Sequence, residues 1–249
     1  MIGGNDTMDT IDRLESHASD QGYDLVGVGV PKTVDNDLFG TDHTPGFPSA
    51  ARYVALSVMQ AGFLARDMQK VDQFVIYQSI GRDAGWLAAS AAAAKQSEED
   101  APHIILLPER PFEDEKFLAD FKRCYDRYGW VSIVCGEGVA YADGTPVSAS
   151  KTKDKFENVE FGAMGGASAA LTLHRLISNE FDVRGEFQIT ESLPMSAADR
   201  AVPLDIEEAY ACGRRAVELA KEGQTDVMVT LERSAGEKYK TQLGTVPLS

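Results

Sequence analysis

"DLVGVGVPKTVDND", residues 24–37, passes from an apolar run into a turn holding two aspartates, an asparagine, a lysine and a threonine. Residues 25–30 read as a buried strand, because a short continuous apolar run ending at a proline fits a strand covered on both faces. Asp35 and Asp37 are two residues apart, so in extended chain they face the same way. One can accept a proton from a hydroxyl while the other orients it or holds a metal, and Lys32 can steady a transferred phosphoryl group. The plainer reading is an Asx-rich turn that satisfies its own backbone, and spacing alone leaves both readings open.

The rest of the chain repeats the same design. Residues 2–4 look like the tail of a strand that enters a helix, capped by Asp6 or Thr7 and carrying Met8, Ile11 and Leu14 at helical spacing. Further strands are expected at 73–79, 103–109, 130–138, 184–190 and 226–231. Helices are expected at 49–69, 87–95, 112–128, 166–178 and 198–221, with a polar loop at 143–160. Apolar strands alternating with helices predict an α/β fold with largely parallel sheets covered on both faces. In such sheets ligands bind beyond the carboxyl ends of the strands. Four exits carry suitable groups: Gly3-Gly4-Asn5-Asp6-Thr7, Lys32 to Asp37, Ile80-Gly81-Arg82 and Gly136-Glu137-Gly138. If their strands are neighbours, these groups converge on one cleft.

Each of the other three exits has a chemical use and a bland one. Glycines before a helix let backbone approach a phosphate at Gly4, or make a simple turn. Arg82 suits an anion as a fork, or pairs with Asp83 or another acid. Glu137 between glycines can bond sugar hydroxyls, or form a solvated turn. Glu109, flanked by Pro108 and Arg110, suggests a structural ion pair. His17, His43, His103 and His174 show no ligand spacing and read as surface or packed residues. Phe161 to Gly166 reads as tight packing at a helix entrance.

The chain has 249 residues and a formal net charge of −15 spread along its length. That balance argues against a nucleic-acid surface, which needs a basic face. An anionic substrate must therefore be held by helix N-termini, a few Lys or Arg, or a divalent cation. No run is long and apolar enough to span a membrane. With no basic segment or apolar signal core at the N-terminus and three cysteines without metal-ligand spacing, the chain reads as cytoplasmic.

Taken in order, "IGGNDT", "GVPKTVDND" with "TDHTPGF", "IGRDAGW" and "GEG" resemble the phosphofructokinase family, and most of all its pyrophosphate-using branch. The resemblance runs from residue 1 to about 232 and matches the later part of a typical member, so the first lobe is expected to be N-terminally truncated. It implies two α/β lobes, one from 1–48 plus 192–215 for the phosphoryl donor and one from 49–191 plus 216–249 for the sugar phosphate. It implies magnesium, a homo-oligomer, and the glycolytic transfer of a phosphoryl group from pyrophosphate (or ATP) to the 1-hydroxyl of fructose 6-phosphate. Asp35 matches the base, Thr33 and Asp37 the groups that orient the reactants, and Lys32 and Asp6 the residues that mark the pyrophosphate branch. Gly4, Asn5, Asp6 and Thr7 match the donor site. Ile80, Gly81, Arg82 and Glu137 match the sugar-phosphate site, and Arg184 falls near another sugar-binding arginine.

The family's magnesium-binding aspartate is here Asn5, an uncharged ligand. Its basic residue upstream of the Met-Gly-Arg motif is here Gln73, and its sugar-phosphate histidine and arginine fall at Gln188 and Glu191. A pair of unit charges about 4 Å apart interacts by roughly 4 kcal/mol at an effective dielectric near 20. Exchanging arginine for glutamate therefore turns attraction into repulsion of similar size. The alternative reading is accordingly a catalytically degenerate or regulatory subunit that binds phosphorylated ligands, and a third is a kinase for a different acceptor.

Overall fold

The computed structural model describes residues 1–148 and 168–248. Part of the polar loop, the beginning of the 166–178 helix and the segment Phe161 to Gly166 lie outside the described residues. The chain forms two compact units, Met1–Ser49 with Ala201–Ser249, and Ala50–Arg200.

In the first unit β1 (Ile2–Gly3) leads into α1 (Asn5–Asp20), and β2 (Val28–Pro31) leads into the acidic turn. After α6 (Pro203–Lys221) come β7 (Val227–Arg233) and β8 (Thr241–Pro247). The sheet runs β1-β2-β7-β8, parallel except for the β7–β8 hairpin. Met8 and Ile11 of α1 cluster with Leu38 and Met228. Cys212, Ala216 and Leu219 of α6 cluster with Val28, Val229 and Leu231. Successive residues of β7 thus serve opposite faces, as the two-residue period of a strand requires.

The second unit begins within α2 (Phe47–Asp67). It continues through β3 (Phe74–Ser79), α3 (Trp86–Ser90), β4 (Ile104–Leu106) and α4 (Asp114–Tyr128). It then runs through β5 (Val131–Gly136), α5 (Ala169–Glu180) and β6 (Gly185–Ile189). Its sheet is wholly parallel, in the order β4-β5-β3-β6. Phe74, Ile76, Ile133 and Cys135 pack with Phe117 and Phe121 of α4 and with Leu173 and Ile177 of α5. All six residues of β3 are buried, which is why Phe74 to Tyr77 read as a continuous apolar run rather than as an alternation.

Several boundaries depart from the sequence expectation for local reasons. Residues 201–249 all join the first unit, so 216–249 do not belong to the second lobe: β7 pairs with β2 from Val28↔Val227 onward. β8 had no sequence signal; it is a polar strand that adds to β7 as an antiparallel edge. β2 starts at Val28, not residue 25, because that pairing begins there, while the Gly27 N–H is taken by the Thr225 hydroxyl. The alanine-rich helix tightens to a 3₁₀ turn over Ala91–Ala94, where buried Ala91 and Ala94 stack at a spacing of three. The 198–221 helix is divided, since Pro203 opens α6. Gly4, not Asp6 or Thr7, precedes the first turn of α1, and Leu14 is exposed rather than packed.

Two stability predictions follow from this packing. Gly62 lies inside α2, where alanine would ordinarily gain about 1 kcal/mol, but a methyl there would overlap the Ala101 side chain. Gly62→Ala is therefore expected to lower stability, by about 1–3 kcal/mol in urea unfolding. His103 stacks on Tyr128, meets Trp130 edge-on, and accepts from the Ser132 N–H through Nδ1. Burial, then nearby Lys95, lowers its pKa from 6.5 to about 4. The folded state therefore keeps the ring neutral where the unfolded chain protonates it. This contribution is complete above pH 6.5 and is lost as pH falls toward about 4. Because the ring is only partly buried, the loss is on the order of 1–2 kcal/mol, and His103→Gln should flatten that part of a stability–pH profile.

Candidate active site

Parallel pairing brings the exits of β1 and β2 side by side. Ile2 pairs with Val30 and Gly3 with Pro31, and the Lys32 N–H donates to the Gly3 carbonyl at 3.0 Å. Gly3 has no room for a side chain, because the Thr7 side chain of α1 occupies the place of its Cβ. Gly4 precedes α1 without a side-chain cap. The first turn of α1 thus offers backbone N–H groups and a positive dipole end beside the acidic turn.

Within the turn, the Asp35 N–H donates to Thr33 Oγ1 at 3.1 Å, and Asn36 sits in the left-handed region at φ 58°. Asn5 Nδ2 donates to Asp37 Oδ2 at 2.8 Å. The sequence-assigned residues Gly4, Asn5, Lys32, Thr33, Asp35 and Asp37 therefore stand at one end of one sheet, with Asp6 and Thr7 in the adjoining helical turn. Thr33 and Asp35 are half-buried, while Lys32, Asn5, Asp6 and Asp37 are exposed. A neutral amide at position 5 meets the Asp37 carboxylate as a donor; a second carboxylate there would place like charges in contact.

The second unit presents its own group at the carboxyl ends of β3 and β5. The Glu137 N–H donates to the Ser79 carbonyl at 3.0 Å. The Glu137 carboxylate, only 8% exposed, accepts the N–H groups of Gly81 at 3.2 Å and Arg82 at 2.9 Å. Both residues have positive φ, 138° at Gly81 and 51° at Arg82. A Cβ on Gly138 would overlap the Arg82 carbonyl oxygen. Glu137 is thus not a solvated turn residue: its Oε1 shapes the turn that leaves Arg82 exposed and Ile80 half-buried. Glu109 in turn accepts from the Gly85 N–H at 2.7 Å, so its carboxylate serves the same loop.

Arg184 does not join this group. It precedes β6, whose first residue Gly185 pairs with Phe74, the first residue of β3. It therefore lies at the amino end of the sheet, about 20 Å of strand away from Ile80. Gln73 fixes it there, exchanging backbone and side-chain hydrogen bonds with the Arg184 main chain at 2.6 and 2.9 Å. The Arg184 guanidinium stands 3.7 Å from Asp72. Within one chain it thus stands at the rim opposite Ile80, because a parallel strand puts its two ends on opposite rims. Glu191, at φ 45°, follows the other end of β6.

One residue that supports the acidic turn had no chemical signal of its own in the sequence. Thr44, fully buried, donates its hydroxyl to the Thr33 carbonyl at 2.6 Å and its N–H to Asn36 Oδ1 at 2.9 Å. His43 is packed, as expected, against the Glu208 carboxylate at 2.9 Å, which also receives Tyr239 and Thr241. Among the described residues no cluster of three or more His, Cys, Asp or Glu side chains suits a metal cage. No helix among them is long and apolar enough to cross a membrane.

A strand-exit turn with paired aspartates, set beside an uncapped helix start, combines proton-accepting groups with a phosphate-approachable backbone. The phosphofructokinase family model matches residues 1–220, and the chain belongs to that family. It is 39% identical over 248 residues to a protein of Xanthomonas campestris named pyrophosphate–fructose 6-phosphate 1-phosphotransferase, covering 99% of this chain and 58% of that protein. It is 34% identical to a sulfofructose kinase of Alkalicoccus urumqiensis, covering 99% of this chain and 62% of that one. The crystal structure of a pyrophosphate-dependent phosphofructokinase from Marinobacter aquaeolei superposes with a TM-score of 0.84 at 34% identity, covering 99% of this chain and 57% of that one. The chain thus spans less than two thirds of the length of these relatives.

The Glu137 assignment has a stability readout. Glu137→Ala would strand two N–H groups, Gly81's being buried, and should cost about 2–4 kcal/mol in urea unfolding. Unchanged stability would mean that the carboxylate serves only a ligand.

Proposed function

We propose that the chain is the phosphoryl-transfer portion of a pyrophosphate-using phosphofructokinase, moving a phosphoryl group to the 1-hydroxyl of fructose 6-phosphate. The observation that carries this reading is the 2.8 Å hydrogen bond from Asn5 to Asp37. It joins the acidic turn to the start of α1, so that proton acceptor and phosphate-approachable backbone share one sheet edge.

Each residue then has a defined task. Asp35 accepts the hydroxyl proton, since an alcohol is a poor nucleophile until a base receives it. The backbone N–H groups at the start of α1 take the donor's phosphate oxygens. Lys32 offsets charge on the transferred group. Arg82, held outward by the Glu137-bound turn, binds the acceptor's phosphate as a fork. The residues fit magnesium held jointly with substrate phosphates: Asp37 and the Asn5 carbonyl oxygen are hard oxygen donors, and this ion is commonly bound through one or two carboxylates plus phosphates. When bound it would neutralise phosphate charge. Pyrophosphate is preferred to ATP on Lys32 and Asp6, the residues that mark that branch. A homo-oligomer is part of the same proposal.

A second reading concerns the acceptor. Glu191 at the carboxyl rim of β6, together with a relative named sulfofructose kinase, supports a ketose whose sixth carbon carries a group other than phosphate. Assays with magnesium and pyrophosphate, comparing fructose 6-phosphate with its 6-sulfo analogue, separate the two acceptors. With the preferred acceptor, Asp35→Asn should reduce turnover by about 10²–10⁴-fold. Turnover within a few-fold of wild type would end the assignment of Asp35 as base, and absence of transfer with either acceptor would favour a binding subunit.

A further inference from the structure

The acidic turn is held from behind by a segment that takes no part in the chemistry assigned above. We propose that Asn36 and Thr44 form a positioning clamp that sets the location of the Asp35 carboxylate, a role that rests on the reading of Asp35 as the base.

Three observations carry the proposal. Thr44 uses each of its polar groups: its hydroxyl holds the Thr33 carbonyl at 2.6 Å, its N–H holds Asn36 Oδ1 at 2.9 Å, and its carbonyl accepts the Phe47 N–H at 3.1 Å. The two anchor points, Thr33 and Asn36, bracket Asp35. Asn36 adopts φ 58°, a left-handed conformation in which asparagine is favoured among non-glycine residues. The clamp is itself fixed. Thr41 Oγ1 accepts the Leu231 N–H at 3.0 Å, and the Asp42 N–H donates to the Leu231 carbonyl at 2.9 Å. The Gly46 N–H donates to the buried Asp205 carboxylate at 2.8 Å. Residues 41–46 are thereby fastened to β7 and α6, and Thr44 transmits that rigidity to the turn. A base displaced by about 1 Å from its reactive position can lose on the order of a hundredfold in rate, so a support of this kind acts on turnover more than on substrate affinity.

The test uses the chain with pyrophosphate, magnesium and the preferred ketose acceptor, together with amide hydrogen exchange. Thr44→Val removes the hydroxyl at nearly constant volume, and Thr44→Ser keeps it. Asn36→Gly keeps the backbone conformation and removes the acceptor, while Asn36→Asp restores it. Thr44→Val and Asn36→Gly should each lower kcat about a hundredfold with acceptor KM changed less than about threefold. The amides of residues 34–37 should exchange at least about tenfold faster while β7 is unchanged. Thr44→Ser should recover most of the rate. Turnover near wild type in Thr44→Val, failure of Thr44→Ser to recover it, or faster exchange across the whole sheet would overturn the clamp. If the wild-type chain transfers no phosphoryl group, the functional reading falls and exchange alone decides. Acceleration confined to 34–37 then supports the clamp, and unchanged exchange refutes it.

Discussion

The parallel pairing of β1 with β2, closed at its exit by the hydrogen bond from Asn5 to Asp37, is the constraint on which the candidate site depends. β1 has only two residues, yet its register sets where α1 begins, and that beginning must meet a turn formed at the end of another strand. Gly3 makes the approach possible because the Thr7 side chain fills the space a Cβ would take. Shifting the register by one residue would turn the chain at Gly4 to the opposite face of the sheet and separate the helix start from the aspartates.

Both units meet an electrostatic difficulty with backbone and neighbouring polar groups rather than with many cations. The chain carries a net charge of −15, which repels the anions it is proposed to bind. At the first unit the negative turn is offset by an uncapped helix start, an amide donor at Asn5 and one lysine. At the second, the Glu137 carboxylate is satisfied by two backbone N–H groups. One of its oxygens, Oε1, thereby shapes the loop. Arg82 is left exposed by a backbone conformation that this carboxylate stabilises.

Much of the fold was legible because its strands are buried on both faces and so read as largely apolar runs, as in residues 74–77 and 133–135. The acidic turn was legible as a turn because Asx residues crowd the exit of such a run, but its chemical use was carried by the order of the four motifs and not by the spacing of its aspartates. What failed was whatever depends on partners distant in sequence. β8 is polar and exists because β7 offers an edge. Residues 216–249 follow β7 into the first unit because β7 pairs with β2. Arg184 was placed near a sugar-binding arginine by resemblance, and only the β3–β6 register shows that it stands at the amino rim of its own sheet. Thr44 carries no chemical signal at all, since a buried threonine is ordinary until its hydrogen bonds to the acidic turn are seen.

The sequence by itself determined the alternation of strand and helix, the positions of the turns that can do chemistry, and the family to which the chain belongs. Those properties are local: apolar periodicity, glycines at tight approaches, and acids at strand exits act over a few residues. Only the tertiary structure decided which strand exits lie side by side, which carboxylate supports a loop, and which residues bond the acidic turn. Register and strand order are set by pairings between residues up to about two hundred positions apart, as between Val28 and Val227. No local pattern encodes such pairings, because they are selected by the free energy of the assembled core.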